Sequence, residues 1–245
     1  MKGIKQRVDT LLVARGCFES REKAQRAIMA GEVIVGGHRV DKPGTRVPED
    51  AEINVKQGLR YVSRGGLKLE AALAAFGIDP TGAVCLDIGA STGGFTDCLL
   101  QHGAAKVYAY DVGHNQLDWK IRTDPRVVVR EKINARNLTP ADIPEKPSIC
   151  TIDVSFISLT LILPPAFEVV TPTGVILALI KPQFELGKNE VGKGGIVRDR
   201  AAHQAVVEKI RAFVTGPAHR QWEGVIESPI LGGEGNKEFL ACLHP

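Results

Sequence analysis

Residues 87–96 read Asp87-Ile88-Gly89-Ala90-Ser91-Thr92-Gly93-Gly94-Phe95-Thr96 and follow the apolar run Ala83–Leu86. An apolar run that ends in an acid and a glycine-rich segment predicts a buried strand, a tight turn and a helix. Serine at position 91 departs from the Gly-x-Gly-x-x-Gly pattern, and no Gly-Lys-Ser/Thr follows, so neither common phosphate-binding loop is present. The stretch therefore predicts a strand of an α/β sheet with a candidate ligand-binding turn at its end.

Short apolar runs alternate with helical patterns on both sides of this turn. Strands are predicted over 83–89, 106–111, 127–129, 148–153, 175–180, 223–228 and 238–243. Helices are predicted over 67–76, 94–102, 159–170 and 198–214. Continuous apolar strands separated by helices are typical of a parallel sheet covered on both faces. The predicted fold class is therefore α/β, with a mostly parallel seven-stranded sheet.

The first 59 residues have a different pattern and predict a separate small α+β domain. Two short helices are followed by a hairpin with a Gly36-Gly37 turn and by a last strand near residue 53. Residues 1–60 hold 12 Lys and Arg against 8 Asp and Glu, whereas the remainder holds 19 against 20. We expect a basic domain over 1–59, a linker over 60–66 and a large domain over 67–245. The basic excess indicates an anionic partner, although a solvated surface would give the same excess.

Composition excludes several classes of protein. The 245 residues are 44% apolar and 24% charged, which is typical of a globular chain. Mean hydropathy is −0.02, and no apolar run approaches the roughly 20 residues of a spanning helix. The N-terminal residues lack the apolar run of a secretory signal, so we expect a cytoplasmic protein. Five scattered cysteines without a Cys-x-x-Cys pair argue against a disulfide framework or a zinc site.

The small domain resembles the RNA-binding module first seen in a small-subunit ribosomal protein. The resemblance rests on Arg7-x-Asp9-x-x-Leu12, Ser20-Arg21-x-x-Ala24, Ile28-x-x-Gly31-x-Val33-x-Val35-Gly36 and Lys42-Pro43. It implies docking on structured RNA, mainly through phosphates, so binding should weaken as salt rises. The candidate RNA-binding residues are Arg7, Arg15, Ser20, Arg21, Lys23, Arg26 and Arg64.

The glycine-rich turn and the acid after the next strand are similar to the S-adenosylmethionine site of Rossmann-like methyltransferases. Asp87 would suit the ligand's ammonium group, Asp111 its ribose hydroxyls and Asn134 its adenine. The candidate cofactor-binding residues are Asp87, Gly89, Ser91, Gly93, Gly94, Phe95, Asp111 and Asn134. A dinucleotide site remains the rival interpretation. An ordinary strand-to-helix turn and a helix-capping carboxylate would explain the same glycines and Asp87.

Four ionisable residues lie at predicted element ends: Lys68, Asp153, Lys181 and Glu238. Because ligands bind at the carboxyl ends of parallel strands, their coincidence favours a catalytic cluster over four solvated side chains. They match the Lys-Asp-Lys-Glu tetrad of the FtsJ-type ribose 2′-O-methyltransferases.

The whole chain resembles the TlyA or hemolysin-A family of ribosomal RNA methyltransferases. The resemblance is carried by Val62-Ser63-Arg64-Gly65-Gly66-x-Lys68-Leu69, the turn at 87–96, Asp153-Val154-Ser155-Phe156-Ile157-Ser158, Ile180-Lys181-Pro182-Gln183-Phe184-Glu185 and Gly194-Gly195-x-Val197-Arg198-Asp199. It implies that Lys181 deprotonates or polarises a ribose 2′-hydroxyl and that Lys68 lowers the pKa of Lys181 and holds substrate. Asp153 and Glu238 would orient the lysines, or Asp153 would itself take the proton. This chemistry requires no metal.

The resemblance implies methylation of a cytidine in ribosomal RNA. Members of the family that modify both ribosomal subunits tend to extend further, whereas only seven residues follow Glu238 here, so we favour the large subunit. Methylation of a base or of another RNA, a pore-forming cytolysin and a non-enzymatic RNA-binding factor are the alternatives. Phe156 and Phe184 could stack on a flipped nucleotide, but core packing is the simpler expectation for both. Segment 182–197 could close over RNA through Lys188, Lys193 and Arg198, or be an ordinary loop.

Overall fold

The computed structural model describes residues 5–55, 59–187 and 191–245. The described residues divide into two compact units on either side of the Arg60–Tyr61 bond. Lys188, considered above as an RNA contact, lies outside the described residues.

The first unit packs two helices against short strands. Its elements are β1 (Lys5–Arg7), α1 (Val8–Ala14), α2 (Arg21–Met29), β2 (Val33–Val35), β3 (His38–Arg39), β4 (Arg46–Pro48) and β5 (Ile53–Val55). Strands pair in the order β3-β2-β5, while β1 and β4 form a separate antiparallel ribbon. The Ser20 hydroxyl accepts a hydrogen bond from the Lys23 amide and caps α2, as the sequence predicts. The predicted helices and hairpin are confirmed, whereas β1 and β4 were not predicted.

The second unit contains the large sheet. Its helices are α3 (Gly65–Phe76), α4 (Gly94–Gln101), α5 (Trp119–Arg122), α6 (Leu163–Val169), α7 (Pro182–Glu185) and α8 (Arg200–Thr215). Its strands are β6 (Val84–Ile88), β7 (Lys106–Tyr110), β8 (Val127–Arg130), β9 (Ile149–Ile152), β10 (Val175–Ile180), β11 (Gln221–Glu227) and β12 (Phe239–His244). The sheet order is β11-β12-β10-β9-β6-β7-β8, and β12 runs antiparallel to the other six strands. The predicted seven-stranded, mostly parallel sheet is confirmed.

Packing of this sheet explains why its strands could be recognised. Two apolar clusters involve opposite side chains of the same strands, with Leu86 and Ile176 in one and Cys85 and Leu177 in the other. Strands buried on both faces need continuous apolar sequence. Burial of this surface is the main source of stability for the unit.

Residues 61–66 are part of the second unit and not a separate linker, which corrects the expected boundary. Tyr61 is 1% exposed within one of the apolar clusters. The Val62 amide donates to the buried Asp97 carboxylate over 2.9 Å. Gly65 begins α3, and a Cβ at Gly66 would lie 2.2 Å from the Tyr61 ring. The segment is held by burial and hydrogen bonds that its polar, glycine-containing sequence does not reveal.

Candidate active site

The topology brings the four predicted catalytic residues to one edge of the sheet. Asp153 follows β9 and Lys181 follows the neighbouring parallel strand β10. Glu238 precedes β12, whose first residue Phe239 pairs with Ile180 at the end of β10. Lys68 reaches the same edge from the first turn of α3. Residues that are 170 positions apart in the chain therefore meet.

The four side chains form two ion pairs. The Lys181 Nζ lies 2.5 Å from Asp153 Oδ1 and donates to the Ser155 hydroxyl over 3.0 Å. The Lys68 Nζ donates to Glu238 Oε2 over 2.5 Å. Both pairs are largely buried, with Glu238 only 2% exposed. Charges removed from water in this way are stable only when they are paired, so each lysine is held at a fixed position.

Three adjoining cavities open onto these pairs, and Ser155 lines all three. The lysine cavity, of about 300 Å³, is lined by Lys68, Asp153 and Lys181. The turn cavity, of about 470 Å³, extends along the glycine-rich turn to Asp153. The aromatic cavity, of about 390 Å³, is lined by Lys181, Glu238, Phe156 and Phe184. The structure therefore places the predicted tetrad around connected spaces at one site.

Glycine is required at two positions of this site. Gly89 has φ +84°, and a Cβ there would lie 2.3 Å from the Asp153 carbonyl oxygen, so a side chain would push the two strand ends apart. A Cβ at Gly232 would lie 1.9 Å from Glu238 Oε1. Gly232 was not predicted as a site residue, although its position in the Gly232-Gly233 pair just before Glu238 is a signal that could have found it.

Most predicted cofactor residues line these cavities. Gly89, Ser91, Asp111 and Asn134 line the turn cavity, and Gly94 and Phe95 line the lysine cavity. The Asp111 carboxylate accepts hydrogen bonds from the Ser91 and Gly113 amides over 2.7 and 2.6 Å. These two bonds fix the acid beside the turn.

Asp87 and Gly93 do not line the three cavities, so their predicted contacts with a ligand stay predictions. Asp87 is fully buried and accepts hydrogen bonds from the Thr96 and Thr151 hydroxyls over 2.6 and 2.9 Å. It therefore ties β6 to β9 and α4 beneath the turn. A Cβ at Gly93 would face Leu117 at 2.9 Å, so this glycine serves helix packing and the start of α4. The two hydrogen bonds are those expected of a structural carboxylate, which is the alternative interpretation of Asp87.

Burial raises the pKa of the Asp87 carboxyl to about 6, above the ordinary 3.8. A carboxyl with a raised folded-state pKa stabilises the fold below its unfolded pKa and loses that contribution as pH rises through the folded value. The free energy of unfolding of the unsubstituted chain should therefore fall by about 3 kcal/mol between pH 4 and pH 7, relative to that of Asp87→Asn, which has no carboxyl at this position.

Urea unfolding followed by tryptophan fluorescence measures this difference, because Trp119 and Trp222 both belong to the second unit. If the free energies of unfolding of the two proteins depended on pH in the same way, the raised pKa of Asp87 would be refuted.

Comparison with known proteins identifies the two units. Residues 61–244 match the FtsJ-like methyltransferase family, and residues 6–53 match the S4 domain. The chain belongs to the FtsJ-like methyltransferase family. It is therefore an enzyme, and the predicted Rossmann-like methyltransferase fold and RNA-binding module are confirmed. A non-enzymatic RNA-binding factor is excluded.

Full-length relatives carry more specific names. The 16S/23S rRNA (cytidine-2′-O)-methyltransferase TlyA of Mycobacterium tuberculosis is 44% identical, over 97% of this chain and 89% of its own. The 23S rRNA (cytidine-2′-O)-methyltransferase TlyA of Campylobacter jejuni is 35% identical, over 90% and 92%. A solved structure from Streptococcus thermophilus, described as a candidate hemolysin, shares 50% identity and a TM-score of 0.75, over 98% and 88%. No described helix of the present chain is long and apolar enough to cross a bilayer.

The S4 domain uses two of its predicted RNA-binding arginines internally. Arg7 and Arg21 both bind the buried Asp9 carboxylate over 2.9 Å, and Gln25 donates to the same group. The Arg7 guanidinium, assisted by Gln25 and Arg21, holds the pKa of Asp9 far below its usual range. Asp9, which belongs to the Arg7-x-Asp9-x-x-Leu12 motif but is not a predicted RNA contact, is thus the centre of a structural network. Its place in a helical apolar pattern gives no sign of this.

The other basic candidates differ in their partners. Arg15 donates to the carbonyl oxygens of Glu49 and Ala51, and Lys23 pairs with Glu19. Arg26 is exposed on α2, and Arg64 is exposed at the lysine cavity. Ser20 serves as the helix cap. Arg26 and Arg64 are the candidates most available to RNA.

Phe156 departs from the expected core packing. Its side chain is 90% exposed, its φ is +63°, and its ring centroid lies 4.8 Å from that of Phe184. Phe184 is half-buried, and its ring centroid lies 5.9 Å from the Lys181 Nζ. The Phe156 ring is therefore exposed to solvent beside the aromatic cavity, which Lys181 and Glu238 also line.

Proposed function

We propose that this protein transfers a methyl group from S-adenosyl-L-methionine to the 2′-hydroxyl of a cytidine in ribosomal RNA, with the large-subunit RNA favoured. The observation that carries the proposal is the meeting of the Lys181–Asp153 and Lys68–Glu238 pairs at cavities that adjoin the glycine turn. The names of the two TlyA relatives support it, and 23S RNA is the substrate common to both names.

The turn cavity fits the proposed cofactor. Its volume of about 470 Å³ lies in the range of small-molecule sites, and Asp111 and Asn134 line it. We assign Asp111 to the ribose hydroxyls and Asn134 to the adenine, with Gly89 and Ser91 lining the space between. When bound there, S-adenosyl-L-methionine supplies an electrophilic methyl group. Asp87 acts beneath the turn, by holding β6, β9 and α4 together.

The ion pairs suit activation of a ribose hydroxyl, which is a poor acid and a weak nucleophile. The Lys181 ammonium donates to the 2′-oxygen and stabilises the negative charge that develops on it. Asp153 lines the lysine and turn cavities beside the Lys181 ammonium, so we assign its carboxylate as the proton acceptor. As the 2′-oxygen forms its bond to the methyl group, the bond from that group to the sulfonium sulfur breaks, and the proton of the O–H bond passes to the Asp153 carboxylate. Lys68, fixed by Glu238, orients the RNA.

The exposed Phe156 ring is assigned as a stacking surface for the target nucleotide. Base–aromatic stacking contributes about 1–3 kcal/mol, so we expect Phe156→Ala to lower kcat/KM for RNA about 5- to 100-fold, mainly through KM. Affinity for S-adenosyl-L-methionine should not change. Trp119→Ala is the matched control, because Trp119 is 74% exposed and lies outside the three cavities. An equal effect of both variants would contradict the assignment.

The S4 domain is proposed to dock the enzyme on ribosomal RNA. Arg26 on α2 is the exposed cation that we assign to a phosphate contact, while Arg7 and Arg21 act mainly by stabilising the domain. Affinity should therefore fall with rising salt concentration.

Transfer of label from methyl-labelled S-adenosyl-L-methionine to isolated ribosomal subunits tests the proposed function. We expect label in the RNA of the large subunit and its loss with Lys181→Ala. Label in protein only, or in RNA regardless of Lys181, would overturn the proposal. Leakage from liposomes treated with the purified protein, without methyl transfer, would favour the cytolysin instead.

A further inference from the structure

Three potential metal ligands meet at the opposite edge of the sheet from the methyltransferase site. Glu223 lies on β11, and Cys242 and His244 lie on β12. One ligand atom from each lies within 4.8 Å of the other two. His244 follows Leu243, which pairs with Ile176 near the start of β10, whereas Glu238 lies beside its end. The cluster therefore belongs to neither the catalytic pairs nor the cofactor turn.

A β-bulge brings the three side chains together. Cys242 and His244 are two residues apart on one strand, so their side chains share a face. In the β11–β12 ladder, Trp222 pairs with Leu243 and Gly224 with Cys242, which leaves Glu223 as the extra residue. A bulge of this kind redirects one side chain, and here the carboxylate points to both neighbours. Glu223 Oε2 lies 2.9 Å from Cys242 Sγ and 2.8 Å from His244 Nε2.

The orientation of the imidazole is fixed by the backbone. His244 Nδ1 lies 3.2 Å from the Gly174 carbonyl oxygen, which can only accept, so Nδ1 carries a hydrogen. In the neutral ring, the Nε2 lone pair then faces a carboxylate oxygen, so this contact needs either a second ring proton or a metal ion at Nε2. Metal-binding histidines commonly donate their second N–H to a backbone carbonyl in this way.

We propose that Glu223, Cys242 and His244 bind a zinc ion. One sulfur, one imidazole nitrogen and one carboxylate oxygen form a donor set that suits zinc, with water as the fourth ligand. Water can reach the site, because the Glu223 and His244 side chains are 44% and 34% exposed. Zinc binding would require the Cys242 thiol to lose its proton to solvent, because the thiolate is the form that binds metal.

The bound ion would connect β11 to the end of β12, and through His244 to Gly174 before β10. We assign the ion a structural role at this edge of the sheet. It would hold the far end of β12, the strand that directly follows Glu238. Sequence alone could not reveal it, because the ligands come from two strands and one of them is the bulged residue.

Titration of the metal-free full chain with Co²⁺ tests the site. We expect one ion per chain and a thiolate-to-cobalt absorption band, which Zn²⁺ should displace. Cys242→Ser should abolish the band, whereas Cys17→Ser, at an exposed cysteine of the S4 domain, should leave it intact. A band that survives Cys242→Ser, or no band, would overturn the proposal.

Thermal unfolding gives an independent measurement, because an ion that binds the folded state raises its stability. At a hundredfold excess of zinc over Kd, we expect the unfolding temperature to rise by about 5 °C or more, and a chelator to reverse the rise. His244→Gln should eliminate the shift, and His219→Gln at an exposed turn should not. An unchanged unfolding temperature would mean that Glu223 and His244 form only an ion pair.

Discussion

Replacing Lys181 by alanine is expected to lower kcat for methyl transfer to RNA by about 10³-fold or more. The ammonium lies between Asp153 and Ser155, where it can polarise an incoming hydroxyl. Its removal takes away the positive charge that stabilises the developing oxyanion and leaves Asp153 buried without its ionic partner. Single-turnover assays with large ribosomal subunits measure this loss, while calorimetry should find nearly unchanged binding of S-adenosyl-L-methionine.

Two further variants make the Lys181 result specific. Asp153→Asn keeps the size of the side chain but removes the proposed proton acceptor, so its loss of kcat should be similar. Lys106→Ala is the matched control, since Lys106 also pairs with a carboxylate, that of Glu145 at 2.6 Å, but on the surface. Retention of more than about a tenth of the activity in Lys181→Ala would contradict the catalytic assignment.

Asp9→Ala is expected to destabilise the S4 domain by about 3 kcal/mol. The variant removes the charged acceptor of Arg7, Arg21 and Gln25, together with a hydrogen bond from the Thr10 amide. Because the pKa of Asp9 is lowered in the folded domain, its stabilisation is present above the unfolded pKa and is lost as pH falls towards the folded value. The mutational effect should therefore be largest near neutral pH and shrink in acid.

Hydrogen exchange followed by mass spectrometry can locate this effect. At neutral pH we expect a loss of protection over residues 5–55 of about 100-fold, with the methyltransferase unit unchanged. Asp50→Ala, at an exposed position of the same domain, is the control. Equal protection in Asp9→Ala and the unsubstituted chain would show that the buried network contributes little.

The large sheet could be predicted because its inner strands, β6, β9 and β10 among them, are buried on both faces and are therefore apolar almost throughout, whereas the edge strands β8 and β11 are half exposed. Some short elements could not be predicted: α5 and α7 have four residues each, and β1 and β4 have three. The equally short β2 and β3 were predicted from the Gly36-Gly37 turn between them. Such segments are too short for a hydrophobic period, and tertiary packing decides their conformation. The linker expected over residues 60–66 differs from the structure for a similar reason. Tyr61 is buried against residues of α3 and α4, and this packing cannot be inferred from the local sequence.

The candidate site could be predicted where topology alone determines position. Lys181 and Asp153 follow neighbouring parallel strands, so their sequence positions place them at one edge. Asp87 also ends a strand, but the hydroxyls of Thr96 and Thr151 draw its carboxylate beneath the turn. The exposure of Phe156 depends on a positive φ that an apolar residue type gives no reason to expect.

The most direct test of the central claim is the chemical identity of the modified nucleoside. Large-subunit RNA treated with the enzyme and S-adenosyl-L-methionine would be digested to nucleosides and analysed by mass spectrometry, with Lys181→Ala in parallel. If the two lysine–carboxylate pairs act on a ribose hydroxyl, RNA treated with the unsubstituted enzyme should contain 2′-O-methylcytidine. RNA treated with Lys181→Ala should contain none. A methyl group found on a base, or 2′-O-methylcytidine formed equally by the variant, would contradict it.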